Sequence, residues 1–70
     1  MANDQVARVS EIIAASSNSF DDAIKVGFRR ASKTLRGITG IRVHEFRVSV
    51  ENDTIKEYRV RMEVIFLLEN

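Results

Sequence analysis

The chain has 70 residues and a formal net charge of +1, from 11 lysines and arginines against 10 aspartates and glutamates. This length predicts a single domain, residues 1–70, whose core alone seldom contributes more than about 3–5 kcal/mol of stability. Because cysteine is absent and His44 is the one histidine, disulfides are excluded and no metal site is expected, which leaves self-association as the source of added stability. The small net charge and the lack of a long apolar stretch give no reason to expect nucleic acid or a membrane as a partner, so we expect a cytoplasmic protein.

The first predicted element is a strand over residues 6–15. Its apolar residues occur at both odd and even positions, and at Ile12 and Ile13 both faces of the strand are apolar. The sequence therefore leaves open which face points to the core. A polar cluster at residues 16–19 follows the strand and is typical of the start of a helix.

A helix is predicted over residues 20–36. Ser19 is expected to be its N-cap, Asp21 and Asp22 lie where the helix dipole is positive, and Gly37 is expected to end it. Gly27 costs about 1 kcal/mol relative to alanine inside a helix. A close approach that a side chain would prevent explains such a residue, so we predict that a strand backbone lies close against Gly27. The predicted buried face has residues at a spacing of three and four: Phe20, Ala23, Ile24, Gly27, Phe28, Ala31 and Leu35.

The second predicted strand, residues 41–51, changes phase. Val43 is apolar at an odd position and Phe46 at an even one, which predicts a β-bulge near His44 and Glu45. His44 is therefore interpreted as a bulge residue rather than a ligand or base. With residues 52–54 as a three-residue hairpin loop, the predicted cross-strand pairs are Val50 with Lys56, Val48 with Tyr58, Phe46 with Val60, Val43 with Met62, Ile41 with Val64, Arg42 with Glu63, Glu45 with Arg61 and Arg47 with Arg59.

The last predicted strand, residues 58–68, has one apolar face and one face that changes along its length. The apolar face contains Tyr58, Val60, Met62, Val64, Phe66 and Leu68. The other face begins charged and becomes apolar at Ile65 and Leu67, so this end of the strand needs cover on both sides. Since so short a chain has little left to supply that cover, we expect Ile65 and Leu67 to be buried between copies of the protein.

Arg47 and Arg59 form a like-charge pair in the predicted register, which is unfavourable unless a carboxylate or bound anion lies beside them. Together with Arg61 they are the nearest approach to a site. A salt-bridge network between subunits would use the same side chains, and the sequence leaves both interpretations open.

The remaining motifs argue against other function classes. Arg29, Lys33 and Arg36 share one helical face, but no aromatic residues are interleaved for base stacking, so a solvated surface is favoured over a nucleic-acid patch. There is no cysteine, no second histidine, no G-x-S-x-G motif and no phosphate loop. We therefore predict no catalytic residues and do not expect an enzyme.

Four segments taken together resemble the dodecin family over nearly the whole chain. The resemblance implies an α+β fold of β-α-β-β order, in which a three-stranded antiparallel sheet packs around one helix. It also implies assembly into a hollow homododecamer that holds pairs of flavins between subunits. The segments are Glu11-Ile12-Ile13, Ser16-Ser17-Asn18-Ser19-Phe20 leading into Asp21-Asp22-Ala23-Ile24, Arg30-Ala31 with Thr34-Leu35, and Lys56-Glu57-Tyr58 before the final alternation.

The resemblance also implies where a ligand binds. The family's flavin-stacking tryptophan falls at Gly40, or at Arg42 in some members, and its flavin-contacting glutamine falls at Arg59. Because arginine stacks on rings and binds anions through two parallel hydrogen bonds, we expect a binding or storage protein for riboflavin, FMN or another anionic planar ligand, with these three residues at the site. The alternative is a dodecin-like structural or ion-binding shell without flavin.

Overall fold

The computed structural model describes residues 4–68, and its elements follow the predicted order β-α-β-β. They are β1 (Ala7–Ser16), α1 (Phe20–Ala31), β2 (Ile38–Glu51) and β3 (Thr54–Leu67). The strands form one antiparallel sheet in the order β1-β3-β2, and α1 packs on β1 and β3. The predicted fold class is confirmed. We call the side of the sheet that α1 covers the inner face and the opposite side the open face.

The core lies between α1 and the central strand β3. Val60, Met62 and Val64 have no exposed surface, as their alternation predicts. The facing of β1 is settled by its pairing: Ile12 lies opposite Met62 on the inner face, whereas Ile13 lies on the open face and is 63% exposed. β3 supplies the largest buried side chains because it alone has a neighbouring strand on both sides.

The N-terminus of α1 begins as predicted. The backbone N–H of Asp22 donates to the hydroxyl of Ser19 at 2.9 Å, which caps the helix. The carboxylate of Asp22 accepts a hydrogen bond of 2.6 Å from the hydroxyl of Ser16 and a longer one of 3.4 Å from the side-chain amide of Asn18. These two hydrogen bonds, the one from Ser16 first, hold the pKa of Asp22 below its usual value of 3.8.

Replacing Ser16 with alanine is expected to destabilise the protein in a pH-dependent way. The pKa of Asp22 is lower in the folded protein than in the unfolded chain. The ionised carboxylate therefore stabilises the fold fully above the unfolded pKa, and this stabilisation is lost as pH falls through the folded pKa. The difference in thermal midpoint between wild type and Ser16→Ala should therefore be constant near neutral pH and shrink below about pH 4. Thermal melts followed by circular dichroism from pH 7 to pH 3 measure this. A difference that stays constant down to pH 3 would contradict the assignment.

The C-terminus of α1 differs from the prediction, because the helix ends at Ala31 rather than at residue 36. After Ala31 the backbone tightens: the N–H groups of Lys33 and Thr34 bond to carbonyls three residues back, at 3.2 and 3.1 Å. The hydroxyl of Ser32 also donates to the carbonyl of Arg29 at 2.9 Å, a local bond that competes with helix propagation. Gly37, at a φ of 74°, instead makes the turn into β2.

The buried face of α1 is narrower than predicted. Ala23, Gly27 and Ala31 are buried, but Phe28 is 44% exposed at the flank of the helix. Gly27 is needed for close packing, although its neighbours are side chains of the sheet and not the predicted strand backbone. A Cβ at this position would overlap the terminal methyl of Met62 and lie 3.1 Å from the Cβ of Ala14.

Replacing Gly27 with valine is expected to lower the free energy of unfolding by about 1–3 kcal/mol, because the branched side chain overpacks the junction with Met62. Gly27→Ala is the matched variant and should have a smaller effect. Its single methyl displaces the flexible end of Met62 and lies tight against Ala14, but it adds no further atoms, and alanine's helix propensity offsets about 1 kcal/mol. Urea unfolding at one protein concentration measures both variants. A Gly27→Val protein as stable as wild type would mean that α1 and β3 can move apart at Gly27 and Met62 without loss of stability.

The β2–β3 pairing contains the predicted bulge. Val43 pairs with Met62 and Glu45 pairs with Arg61, which leaves His44 as the extra residue. The structure has a further shift between Ile38 and Gly40, which the prediction missed because it began the strand at residue 41. The other predicted pairs are also confirmed except the one nearest the turn: Ile41 with Val64, Arg42 with Glu63, Phe46 with Val60, Arg47 with Arg59 and Val48 with Tyr58.

The hairpin turn is shorter than predicted. Asn52 and Asp53 alone form it, with φ values of 52° and 60°. Positive φ at both central residues is what a two-residue turn of type I′ requires, and asparagine and aspartate tolerate it. Val50 consequently pairs with Ile55, not with Lys56, and the register shifts between Ser49 and Val50.

Candidate functional site

The open face of the sheet is charged along the middle of β3. Arg61 contacts Glu11 on β1 and Glu45 on β2, with Nε of Arg61 3.3 Å from Oε1 of Glu45. These hydrogen bonds, the one to Glu11 first, raise the pKa of Arg61 above its usual value. Because a carboxylate lies on each side of Arg61, its charge is neutralised within the chain, and its guanidinium group has few hydrogen-bond donors left for a ligand.

The next close pair along the open face joins an imidazole and a carboxylate. Nε2 of the bulged His44 lies 3.1 Å from Oε2 of Glu63. Arg42 lies directly opposite Glu63, as predicted, but within residues 4–68 the side chain close to the Glu63 carboxylate is that of His44 and not that of Arg42. The bulge explains this exchange, because the extra residue brings the imidazole to the open face beside β3. Arg42 is exposed.

The two arginines near the hairpin are not balanced in the same way. Arg59 lies opposite Arg47 and binds Glu57 on its own strand, with Nη2 at 2.7 Å and Nε at 2.8 Å from the same carboxylate oxygen. Arg47 has no carboxylate within ion-pair distance among the described residues. The pair therefore keeps an excess positive charge. The two like charges were predicted to need a carboxylate beside them, and Glu57 supplies one to Arg59 but not to Arg47.

A shallow cleft of about 60 Å³ lies at this end of the open face. It is far smaller than the roughly 300–1,000 Å³ of a typical ligand pocket. One chain therefore offers an anchor for a small anionic group but does not enclose a planar ring, which would need a second surface. The cleft is lined by Ile13, Glu45, Arg47, Arg59, Val60 and Arg61.

The three predicted site residues all belong to the open face, but one chain does not bring them together. Gly40 and Arg42 are neighbours on β2, opposite Ile65 and Glu63. Arg59 lies six residues from Ile65 along β3, a distance of about 20 Å at the rise of a strand. Gly40 and Arg59 could thus line one site only if they come from different copies of the chain.

Gly40 has one close side-chain neighbour on the open face. A Cβ there would meet only Cδ1 of Ile65, at an ordinary contact distance of 3.7 Å. Ile65 is flanked on its other side by Val9, which is 52% exposed, so an apolar row crosses the open face at this level. Sequence reasoning missed Val9, because the facing of the first strand was ambiguous until its pairing with β3 was known.

Two features are absent from the described part of the chain: a cluster of metal-binding side chains and a helix able to span a membrane. Among residues 4–68 no three histidine or carboxylate side chains stand close enough together to hold a metal ion. No helix in this part of the chain has the length and apolar character needed to cross a membrane.

Comparison with known proteins identifies close relatives over nearly the full length. A family model described as Dodecin matches residues 6–69. The dodecin of Thermus thermophilus is 37% identical over 59 residues, which are 84% of this chain and 86% of the relative. The structure of the dodecin from Streptomyces davaonensis matches with a TM-score of 0.91 at 33% identity, covering 99% of this chain and 100% of that one.

A further structural match is a calcium dodecin from Mycobacterium tuberculosis, described as a calcium-chelating antigen with a calcium-binding site. Its TM-score is 0.80 at 30% identity, and 91% of each chain is covered. One matched protein is thus named for calcium, whereas the names of the other two state no ligand.

Proposed function

The chain belongs to the dodecin family, and from this premise we propose that it is a homo-oligomeric small-molecule binding or storage protein that holds an anionic planar ligand, FMN above all, between subunits. Membership of the family supports a small ligand-binding protein. Twelve copies are the assembly we propose, with Ile65 and Leu67 buried between them. In this chain alone both side chains are half-buried.

The observation that carries the proposal is the unbalanced charge at Arg47 and Arg59 next to a cleft too small to enclose a ring. In a symmetric assembly the same patch recurs on a neighbouring copy, and a ligand between the copies meets arginines from both. Guanidinium groups bind phosphate through paired hydrogen bonds and stack on flat rings. The arrangement therefore favours FMN, with its phosphate, over neutral riboflavin.

Titration of FMN and riboflavin at low and high salt tests this proposal. We expect FMN to bind more tightly at low salt and its advantage to shrink at high salt, because exposed charges are screened. Arg59→Gln should move the preference toward riboflavin. Arg8→Gln, which removes one cation from an exposed position at the other end of the sheet, should not. Tighter binding of riboflavin than of FMN, without any salt effect, would refute the proposal.

The mass of the assembly is measured separately by light scattering. Twelve copies of an 8.0 kDa chain give about 96 kDa. A monomer at micromolar concentration would remove the proposed site, because a single chain does not enclose a ring.

The second candidate function is an ion-binding or structural shell, and the calcium dodecin from Mycobacterium tuberculosis is the observation that favours it. Since residues 4–68 of one chain hold no cluster of three metal-binding side chains, such a site would be built from several copies. Calorimetric titration of calcium into chelator-treated protein discriminates between the two candidates. Calcium binding without binding of either flavin would favour the shell.

A further inference from the structure

Glu63 on β3 has two neighbours on β2 that can bind its carboxylate. Nε2 of His44 lies 3.1 Å from Oε2 of Glu63, and the two side chains are only 26% and 28% exposed. Arg42 lies directly opposite Glu63 in the ladder, so its side chain leaves the same face of the sheet within reach of the same carboxylate. In the part of the chain that the structure describes, Arg42 has no carboxylate within ion-pair distance. His44 therefore holds the partner that the register offers to Arg42.

The other charges on this part of the open face leave Glu63 with no further partner. On β1, Glu11 lies opposite Glu63 and adds a like charge. Arg61, two residues before Glu63 on β3, already contacts Glu11 and Glu45. Since α1 covers the other side of the sheet, it adds no charge here. The groups that face His44 are thus three carboxylates and two arginines: Glu11, Glu45, Glu63, Arg42 and Arg61. With Arg61 committed, only Arg42 or a protonated His44 can balance the charge of Glu63.

Protonation of His44 decides which of the two side chains is the stronger partner. A protonated imidazole adds the attraction of opposite charges to its hydrogen bond with Glu63, whereas a neutral imidazole offers the hydrogen bond alone. Arg42 is charged at every pH of interest and can bind a carboxylate through two hydrogen bonds, so it outcompetes a neutral imidazole. An unperturbed histidine takes up its proton near pH 6.5, and small changes in pH around neutrality therefore shift the competition.

We propose that Glu63 controls whether Arg42 is available to an anionic ligand, and that protonation of His44 releases Arg42. At alkaline pH Arg42 pairs with Glu63, and at acidic pH His44 holds Glu63 while Arg42 stays exposed. Arg42 lies on β2 beside the apolar row of Ile65 and Val9, where a planar anion finds both an apolar surface and a cation. Glu63 is a positioning residue, since it acts through Arg42. The inference rests on the proposed function and deepens it by naming how the site is regulated.

The exchange of partners can be followed by NMR without any ligand. His44 is the one histidine of the chain, so its imidazole signals report its protonation directly. The Nε–H signal of Arg42, identified by its loss in Arg42→Gln, should move in step with the imidazole between pH 8 and pH 5.5 in wild type. In Glu63→Gln it should not, because the shared carboxylate is gone. An Arg42 signal that ignores the imidazole in wild type would overturn the inference, whatever the protein binds.

Titration of FMN at pH 8 and pH 5.5 tests the effect on the ligand. Because the phosphate of FMN itself changes charge near pH 6, each variant is compared with wild type at the same pH. His44→Gln should match wild type at pH 8 and bind up to about fivefold more weakly at pH 5.5, the range that an exposed ion pair allows. Glu63→Gln should do the opposite, with its gain over wild type largest at pH 8.

Two controls separate release of Arg42 from a direct effect of charge. Glu51→Gln removes a carboxylate that pairs with Lys56 at the end of the hairpin, and it should keep the pH dependence of wild type. In an Arg42→Gln background, the pH-dependent effects of His44→Gln and Glu63→Gln should both vanish, because no arginine is left to release. Effects that persist in this background would overturn the inference. Absence of flavin binding at every pH would refute the proposed function, and the NMR signals would still decide the exchange at Glu63.

Discussion

Gly40→Trp is expected to raise the affinity for FMN and riboflavin by about fivefold to 100-fold, since stacking of a ring on an aromatic side chain contributes about 1–3 kcal/mol. The backbone at Gly40 accepts a side chain at its first atom. The added Cβ meets only Cδ1 of Ile65 at 3.7 Å, and Gly40 does not have the positive φ that would strain a larger residue. From the resemblance to dodecins we expect the stacking tryptophan of that family at this position, or at Arg42 as in some members. Fluorescence titration of each flavin against the variant and wild type measures the effect.

Gly40→Leu is the control for this substitution, because leucine fills the same space without an aromatic face. It should change flavin affinity little. The double variant Gly40→Trp with Arg59→Gln should show the largest gain for riboflavin, since it restores both the stacking face and the amide that the resemblance implies. A Gly40→Trp protein of wild-type mass that binds flavin no better than wild type would show that Gly40 does not line the site.

Met62→Ala is expected to lower the free energy of unfolding by about 2–5 kcal/mol. Met62 has no exposed surface and lies at the centre of the core, next to Gly27 of α1 and opposite Ile12 of β1. The loss is comparable with the stability that a core of this size supplies, which seldom exceeds about 3–5 kcal/mol. The variant should therefore be largely unfolded at low protein concentration, where assembly offsets least of the loss.

Two further variants control for the position and shape of Met62. Met62→Leu conserves volume and should cost less than about 1.5 kcal/mol. Val6→Ala also removes aliphatic atoms, but Val6 is 64% exposed, so its effect should be small. Urea unfolding of all three proteins at one concentration provides the comparison. Met62→Ala as stable as Val6→Ala would mean that the core lies elsewhere.

Local features of this chain could be predicted from the sequence. The alternation of Val60, Met62 and Val64 identified the buried face of β3, because side chains of a strand point to opposite sides at every second residue. The change of phase before Phe46 located the bulge at His44 by the same rule. Ser19 was identified as the N-cap because its hydroxyl contacts an N–H only three residues away.

The end of the helix was mispredicted for a reason that is also local. Leu35 keeps the helical spacing of apolar residues, so periodicity extends the helix to residue 36. The structure ends it at Ala31 because the backbone bonds of Lys33 and Thr34, and the hydroxyl of Ser32, satisfy its last carbonyls in a tighter turn. Competition between two nearly equal local hydrogen-bond patterns is not visible in the spacing of apolar residues.

The sequence by itself thus determined the family resemblance, the order of the elements, the inner face of β3 and the register of most of the β2–β3 hairpin, all of which depend on residues close along the chain. Only the tertiary structure decided the facing of β1, since its apolar residues fall on both alternations. It also decided that Arg61 is neutralised by Glu11, 50 residues away, whereas Arg47 keeps its charge. The facing of β1 and the contact of Glu11 with Arg61 follow from the pairing of β1 with β3, a contact between distant segments that no local pattern encodes.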